Sequence, residues 1–337
     1  MLNNAEIRNY GPLQNLSWSN PGKINLIIGA NSTGKTFLLK ALYCSIKTLE
    51  EYKRGDDQRS ANEILADKLY WTFQVDKIGD LVSKGAEKPL HCNVAFGNQS
   101  FFYNFGKETS KQILSLENHV SPRTSNSIFL PAKEVLSLHQ IILKSREQDK
   151  LFGFDDTYLD LARALRTSPQ RGKNYTGFSE SRKKLEDILG GKIEYDELSG
   201  RWQFKKGNQK FPIGVTAEGI KKIAILDTLL SNRYLDTDSI VLIDEPEAAL
   251  HPKAVSDFLE IITILAESGI QFFMASHSYF VIKKLFLIAQ EKQMSIPIII
   301  EDQGIWEQSD LVNGMPDNTI IDESIRLYRD EVELGTK

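Results

Sequence analysis

The feature that most constrains this chain is an eight-residue stretch, GANSTGKT, at positions 29–36. It fits the pattern G-x-x-x-x-G-K-[ST] and follows an apolar run, Ile24 to Ile28, that predicts a buried strand. The residues from Phe37 to Leu49 contain neither Gly nor Pro and predict a helix. A strand, a Gly-rich loop and a helix in this order predict a loop whose amides surround a phosphate at the positive end of the helix dipole.

The residue types of this loop each have a chemical reason. Gly29 and Gly34 let the backbone turn tightly and approach a ligand closely. Lys35 supplies a cation for the β- and γ-phosphates of a nucleotide, and the Thr36 hydroxyl is a candidate ligand of Mg²⁺. The other candidate phosphate-binding residues of the loop are Asn31, Ser32 and Thr33.

A second motif, IVLIDEPE, occupies residues 240–247. Its four apolar residues predict a buried parallel strand, and two carboxylates follow at the carboxyl end, where open α/β sheets bind ligands. Asp244 is placed to hold Mg²⁺, and Glu245 is placed to orient or deprotonate an attacking water. Two buried carboxylates repel each other unless a cation is near, which favours a metal ion beside Asp244 over a charged strand end without function.

Two further segments are candidates for contact with an anion. The apolar run from Ile270 to Ser276 predicts another core strand, and His277 follows at its tip. A lone histidine is more often structural, but this position favours contact with the γ-phosphate. Thr216 and Gly219 stand where a helix ending near Ser231 is predicted to begin, and a helix N-terminus of this kind is a second candidate anion site.

Composition limits the classes of function. A net charge of −4 argues against a surface that coats nucleic acid, although a local basic groove stays possible. Cys44 and Cys92 have no metal-like spacing, which excludes a disulfide scaffold and is typical of a reducing cytoplasm. No uninterrupted apolar run reaches the length of a transmembrane helix, so we expect a cytoplasmic protein without a membrane partner.

The middle of the chain carries no chemical motif. Residues 50–127 differ in pattern from the rest, with a charged beginning and a predicted hairpin over Leu90 to Phe105. We interpret residues 50–127 as an inserted helical and hairpin lobe of unknown role. Residues 1–49 and 128–337 are then expected to form one α/β domain, a mixed β-sheet core flanked by helices.

Together, GANSTGKT (29–36), IVLIDEPEAALHP (240–252) and FFMASHS (272–278) resemble ABC-type ATPases. Within these they are most similar to the RecF/SMC/OLD-like branch, the AAA family ATPases (AAA_15- and AAA_21-like) of bacterial defence operons. The resemblance covers about residues 1–49 and 190–335 and implies an ABC/SMC-head-like P-loop ATPase that binds ATP and Mg²⁺. It also implies that two heads close head to tail around two ATP molecules.

The resemblance implies a role for each matching residue. Lys35 binds phosphate, Thr36 and Asp244 hold the metal ion, Glu245 is the catalytic base and His277 is the switch that contacts the γ-phosphate.

The same resemblance implies a signature helix over about residues 214–231, which faces the γ-phosphate of the partner head. Gly219 is then the signature glycine and acts in trans. The sequence departs from the family pattern at one place, because the usual signature serine falls on Ala217 and Thr216 stands one residue earlier. Either Thr216 supplies the hydroxyl or the contact in trans is weaker.

Four functions are compatible with these residues. The first is a Mg-dependent ATPase that forms a homodimer or higher oligomer and regulates a separate effector, a nuclease or toxin, in anti-phage defence. The second is a DNA repair or recombination ATPase that binds DNA directly. The third is the nucleotide-binding subunit of an ABC transporter, which the absence of a typical LSGGQ sequence disfavours. The fourth is an ATP-binding scaffold with low turnover. No acidic cluster like that of a TOPRIM nuclease follows His277, so the effector is expected to be a separate chain.

Overall fold

The structure is a computed structural model that describes residues 1–167 and 176–335. From residue 218 to residue 302 helices alternate with single strands, whereas the elements before them come in groups of strands and groups of helices. The strands, in chain order, are β1 (Leu2–Tyr10), β2 (Leu13–Ser19), β3 (Ile24–Ile28), β4 (Leu90–Phe96), β5 (Gln99–Phe105), β6 (Ser115–Asn118), β7 (Ile128–Leu130), β8 (Lys192–Asp196), β9 (Arg201–Lys206), β10 (Gln209–Pro212), β11 (Ile240–Asp244), β12 (Gln271–Ser276), β13 (Pro297–Asp302) and β14 (Ile305–Asp310).

The helices begin and end largely where caps and apolar periodicity place them. Asp155 caps α4 by accepting a hydrogen bond from the Thr157 amide, and Pro252 opens α7. In chain order the helices are α1 (Lys35–Glu51), α2 (Ala61–Phe73), α3 (His139–Leu143), α4 (Asp156–Leu165), α5 (Thr176–Leu189), α6 (Glu218–Ser231), α7 (Pro252–Glu267), α8 (Tyr279–Lys292) and α9 (Thr319–Gly335).

The centre of the molecule is a six-stranded sheet with the order β14-β13-β3-β12-β11-β7. All its strand pairs are parallel except that of β13 with β14. Every residue of β3, β7 and β12 is buried, which explains why these strands are continuous apolar runs rather than alternating ones. The sheet is therefore covered on both faces, and its carboxyl-terminal edge is where loops gather.

Neighbouring residues of the central strands face opposite cores. Val241 of β11 belongs to the apolar core on one face, with residues of α6, α7 and α8, whereas the adjacent Leu242 belongs to the core on the other face, with residues of α1. On this second face the ring of Trp18 in β2 lies edge-on to Phe273 of β12, with centroids 5.2 Å apart. The parallel sheet is thus a middle layer between helices and a second sheet.

That second sheet is antiparallel and has the order β2-β1-β4-β5-β6. Its strands β4, β5 and β6 come from residues 50–127, the stretch interpreted above as an inserted lobe. The hairpin expected over Leu90 to Phe105 is present, but β4 pairs directly with β1, with Ala5 opposite Val94. These strands thus share a sheet with β1, whose free edge β4 completes, and the role of residues 50–127 stays a prediction. The helix α2 packs on α1 in the same way.

A third sheet, β10-β9-β8, is a small antiparallel meander that follows α5. The turn between β8 and β9 contains Gly200, whose φ of +66° a glycine adopts without strain. Within residues 1–167 and 176–335, none of the helices has both the length and the apolar character needed to cross a membrane.

One buried cluster of charges joins α1, α2 and α4. The ammonium of Lys68 in α2 lies 2.7 Å from a carboxylate oxygen of Glu51, 3.0 Å from Asp160 and 3.3 Å from Asp156. Arg146 adds a second cation, 2.7 Å from Asp156. Since the side chains of Lys68, Asp156 and Asp160 are each less than a tenth exposed, each charge depends on its partners.

Candidate functional site

The candidate site forms where three adjacent parallel strands end. In the pairing of β3 with β12, Ile28 is opposite Ser276, and in that of β12 with β11, Ala275 is opposite Asp244. The loops that follow these strands therefore begin side by side at one edge of the sheet. This register brings the glycine-rich loop, the acidic tip and His277 together, although they are far apart in the chain.

The glycine-rich loop is closed by its own polar groups. The ammonium of Lys35 donates hydrogen bonds to the carbonyl oxygens of Gly29 and Ala30, at 2.9 and 2.6 Å. The Thr33 hydroxyl donates to the same Ala30 carbonyl at 3.0 Å. Gly34 has φ +102°, and a Cβ there would lie 2.9 Å from the ring of Pro12. Only glycine fits this position, which makes the second glycine of the motif a steric requirement.

The remaining two residues of the loop, Asn31 and Ser32, are exposed, and Ser32 has a left-handed backbone with φ +65°. An exposed loop that turns through the left-handed region can present successive amides to an anion. Their predicted role in phosphate binding is therefore sterically possible and stays a prediction.

Thr36 and Asp244 meet across the site. The Thr36 hydroxyl, in the first turn of α1, lies 3.0 Å from both carboxylate oxygens of Asp244 and donates one bifurcated hydrogen bond to them. Burial raises the pKa of Asp244, Thr36 opposes that shift and the neighbouring Glu245 adds to it. Burial lowers the pKa of Lys35, and the carboxylates of Asp244 and Glu245 oppose that shift. The carboxylates of the acidic tip thus favour the charged form of Lys35 in the loop.

This pair of oxygen donors fits a hard divalent cation. A hydroxyl and a carboxylate are the ligands that Mg²⁺ takes in phosphate-transfer sites, usually with waters and phosphate oxygens completing the shell. A cation beside Asp244 would also offset the cost of ionising a carboxylate that burial and Glu245 disfavour. Within the described residues, no group of three or more His, Cys, Asp or Glu side chains forms a metal site by itself.

Glu245 and His277 stand next to each other at the tips of β11 and β12. Nδ1 of His277 lies 3.6 Å from a carboxylate oxygen of Glu245 and 3.9 Å from one of Glu247. The side chains of His277 and Glu245 are 46% and 40% exposed, so a ligand can reach both. Glu247 is held in turn by the Ser276 hydroxyl, which donates to it at 2.8 Å. The sequence analysis gave Glu247 no role, yet it fixes the loop beside the histidine.

The backbone of Glu245 is unusual. Its φ is +49°, in the left-handed region that a non-glycine residue enters at a cost. Its amide donates to the Ala275 carbonyl at 2.9 Å, which extends the ladder between β11 and β12 by one bond. The side chain therefore leaves the strand in a direction that an extended backbone would not give.

Thr216 and Gly219 lie at the other side of the acidic loop. Gly219 is buried near the N-terminus of α6, and a Cβ there would lie 2.6 Å from the Leu250 side chain and 2.8 Å from the Ala249 carbonyl oxygen. Thr216 is half-buried just before the helix. Gly219 therefore approaches the loop that follows β11, and the predicted action of both residues on the phosphate of a partner head stays a prediction.

A lysine that the sequence analysis missed lies under the acidic tip. The ammonium of Lys222 in α6 donates to the carbonyl oxygen of Glu245 at 2.6 Å and lies 3.4 Å from that of Asp244. The residue is 8% exposed, and burial lowers its pKa to about 8 against the opposing charges of the nearby carboxylates. Its burial could have been predicted, since Lys222 lies on the same helix face as Leu226 and Leu229, which are fully buried.

We expect Lys222→Met to lower kcat for ATP by about 10- to 100-fold, because a displacement of about 1 Å in a catalytic group has effects of this size. Methionine fills the same space but cannot hold the Glu245 carbonyl, so Glu245 loses its fixed direction. ATP affinity should stay within a few-fold, since Lys222 does not reach the glycine-rich loop through its described hydrogen bonds. Steady-state kinetics on this variant and on the exposed control Lys253→Met check the prediction, and an unchanged kcat contradicts it.

One family model matches the sequence over the second of these motifs and the histidine. The profile described as "AAA domain, putative AbiEii toxin, Type IV TA system" matches residues 101–283, more than half of the chain. The chain belongs to this AAA domain family. The matched segment of the AAA domain contains Asp244, Glu245 and His277, while the glycine-rich loop precedes it. No curated protein matches the sequence.

Two solved structures show the fold of the AAA domain. An SMC head bound to the C-winged helix domain of ScpA aligns with a TM-score of 0.55 at 14% identity, over 92% of this chain and 97% of that one. An SMC head with an extended coiled coil, bound to the C-terminal domain of ScpA derived from Pyrococcus furiosus, aligns with a TM-score of 0.51 at 11% identity, over 98% of both chains. The predicted SMC-head-like α/β fold and the resemblance to this branch are confirmed.

Proposed function

We propose that this AAA domain binds ATP with Mg²⁺ at the joined tips of β3, β11 and β12 and hydrolyses it. One observation carries the proposal: Thr36 and Asp244, 208 residues apart, are joined by a hydrogen bond from the hydroxyl to the carboxylate, with both oxygens at 3.0 Å. They connect the glycine-rich loop to the acidic tip and leave Lys35, Glu245 and His277 around the same space. Such an arrangement has the parts that phosphoryl transfer to water needs.

Each side chain has a defined task in this proposal. Lys35 and the loop amides bind the phosphates of ATP, and Lys35 exchanges its two loop carbonyls for phosphate oxygens. Thr36 and Asp244 would hold Mg²⁺, which neutralises charge on the β- and γ-phosphates when bound. Glu245 accepts a proton from the attacking water. His277, beside Glu245, donates a hydrogen bond to a γ-phosphate oxygen.

We also propose that two heads close around ATP and that this closure controls a separate effector, a nuclease or toxin, in anti-phage defence. The position of Gly219 at the start of α6 supports the first part, because a helix N-terminus favours an anion. The family description, which names a toxin of a toxin–antitoxin system, supports the second. Co-purification with the products of neighbouring genes, with and without ATP, tests it, and the absence of any ATP-dependent partner contradicts it.

The substitution Lys35→Met tests ATP binding directly. We expect the variant to bind ATP about 10- to 100-fold more weakly, because a charge-assisted hydrogen bond contributes about 1.5–3 kcal/mol. Methionine keeps most of the length of the side chain and removes the ammonium, with its charge and its hydrogen-bond donors. Isothermal titration calorimetry with ATP and Mg²⁺ measures the affinity.

The matched control for this experiment is Lys253→Met, since Lys253 is 78% exposed and pairs only with Asp257 one helical turn away in the described residues. Its affinity for ATP should equal that of the wild type. If Lys35→Met binds ATP as tightly as the control does, or if the wild type binds none, the glycine-rich loop is not an ATP site.

A further inference from the structure

The last helix carries an exposed apolar stripe. In α9 the side chains of Ile325, Tyr328 and Val332 are 44%, 67% and 47% exposed, and they follow the buried Ile321. The intervals of four, three and four residues are those of a heptad seam, which lies along one side of a helix. From Ile325 to its end at Gly335 every residue of α9 is exposed, so this part of the stripe is accessible to a partner, whereas Ile321 belongs to the core of its own domain.

We infer that α9 pairs with α9 of a second copy of this chain, in antiparallel orientation. In such a pair Ile325 of each copy packs against Tyr328 of the other, while Ile321 stays in the core of its own domain and Val332 extends the exposed stripe beyond these two layers. The two layers are equivalent, and the pairing is symmetric about a two-fold axis. Aliphatic and aromatic side chains at these seam positions interdigitate as in other helix pairs.

The charges beside the stripe specify this orientation. Asp322 and Arg329 occupy the same flanking position of successive heptads, seven residues apart. Antiparallel pairing places Asp322 of each copy opposite Arg329 of the other, which gives two ion pairs, each between an acidic and a basic side chain. Parallel pairing places Arg329 opposite Ser324, without an opposite charge. Neither Asp322 nor Arg329 has an ion pair among the described residues, whereas Arg326, on another side of the helix, bonds Glu323 and Asp330.

The self-complementary order of charges is what favours a second copy over an unrelated helix. A foreign partner would not require an acid and a base seven residues apart on one flank of the same helix. A contact of about three helical turns buries less than the roughly 1,200 Å² of a stable standard interface. We therefore expect a weak association that depends on protein concentration and on ionic strength.

Charge reversal of the full chain tests this pairing. Asp322→Arg and Arg329→Asp each place like charges opposite each other in the symmetric pair, so each variant alone should self-associate less than the wild type. Mixed in equal amounts, a chain with two arginines meets a chain with two aspartates, and association should return to the wild-type level or above. Sedimentation velocity over a series of concentrations, without nucleotide, measures the monomer–dimer equilibrium.

The control is Asp330→Arg, which reverses a charge on the outer side of α9 and should leave association unchanged. Circular dichroism checks that each variant retains its helix content. The inference is overturned if the wild type stays monomeric at every concentration, if the single reversals associate like the wild type, or if the mixture fails to associate. Because nucleotide is absent throughout, these outcomes are independent of whether the chain binds ATP.

Discussion

The substitution Glu245→Gln is expected to lower the turnover of ATP by about 10²–10⁴-fold, the usual contribution of a general base. Glutamine has the shape of glutamate but cannot accept the proton of water. The backbone of residue 245 is held by hydrogen bonds to Ala275 and Lys222 that the substitution does not touch. The loss should therefore fall on kcat, while the affinity for ATP, which Lys35 and Thr36 provide, should stay near that of the wild type.

Steady-state phosphate release and calorimetric ATP binding measured on the same protein separate these two effects. A suitable control is Glu260→Gln, which removes one carboxylate from an exposed pair with Lys284 and should leave turnover unchanged. Equal turnover in Glu245→Gln and the wild type would remove Glu245 from the role of base. Loss of binding instead of turnover would mean that its carboxylate acts mainly on the nucleotide or its metal ion.

The site could be predicted from the sequence because its chemistry follows three strand ends. Gly29, Asp244 and His277 each come directly after an apolar run, and parallel strands place their carboxyl ends at one edge. The order of the strands did not need to be known for this step. What the pattern does not specify is distance, so the direct bond between Thr36 and Asp244 appears only in the structure.

The middle of the chain was harder to predict for two different reasons. Ser60 caps α2, and the side chains of Ser60 and Glu63 each accept a hydrogen bond from the other's backbone amide in a capping box. The start of this helix was therefore present in the sequence as S-x-x-E, and it was missed among the surrounding charges. The pairing of β1 with β4, in contrast, joins Ala5 to Val94. A local pattern shows that a strand has a buried face but not which distant strand completes its edge.

Lys222 shows a third limit of sequence analysis. A lysine on an apolar helix face predicts a buried ammonium with a polar partner, and Lys222 lies on the same face as Leu226 and Leu229. It does not tell which partner satisfies the ammonium. Here the acceptors are two main-chain carbonyl oxygens at the end of β11, and main-chain acceptors leave no trace in the residue type.

The largest expected effect on stability is that of Lys68→Met, which should lower the free energy of unfolding by about 3–5 kcal/mol. Lys68 is 6% exposed and contacts the carboxylates of Glu51, Asp156 and Asp160. Methionine keeps most of its packing but removes the ammonium that these three carboxylates share. Urea unfolding followed by circular dichroism measures the change.

Its control is Lys292→Met, which breaks a pair of similar length, 2.6 Å, with Glu267 at the surface. Both side chains of that pair are more than 40% exposed, so the change should stay within about 1 kcal/mol. If the two variants lose the same free energy of unfolding, the buried ion pairs of Lys68 contribute no more to stability than a surface ion pair does.

Lowering the pH should reduce the difference in free energy of unfolding between Lys68→Met and the wild type. Burial disfavours the charged form of Asp160, but Lys68, Lys47 and the Tyr43 hydroxyl outweigh it and lower its pKa to about 2. In the unfolded chain the pKa of an aspartate is about 3.9, so this carboxylate stabilises the fold above about pH 4 and loses that contribution as the pH falls towards 2. Without Lys68 the folded-state pKa rises, so the variant has less of this contribution to lose. A stability difference that is constant from pH 7 to the acid limit of folding would show that Lys68 acts through packing and not through its charge.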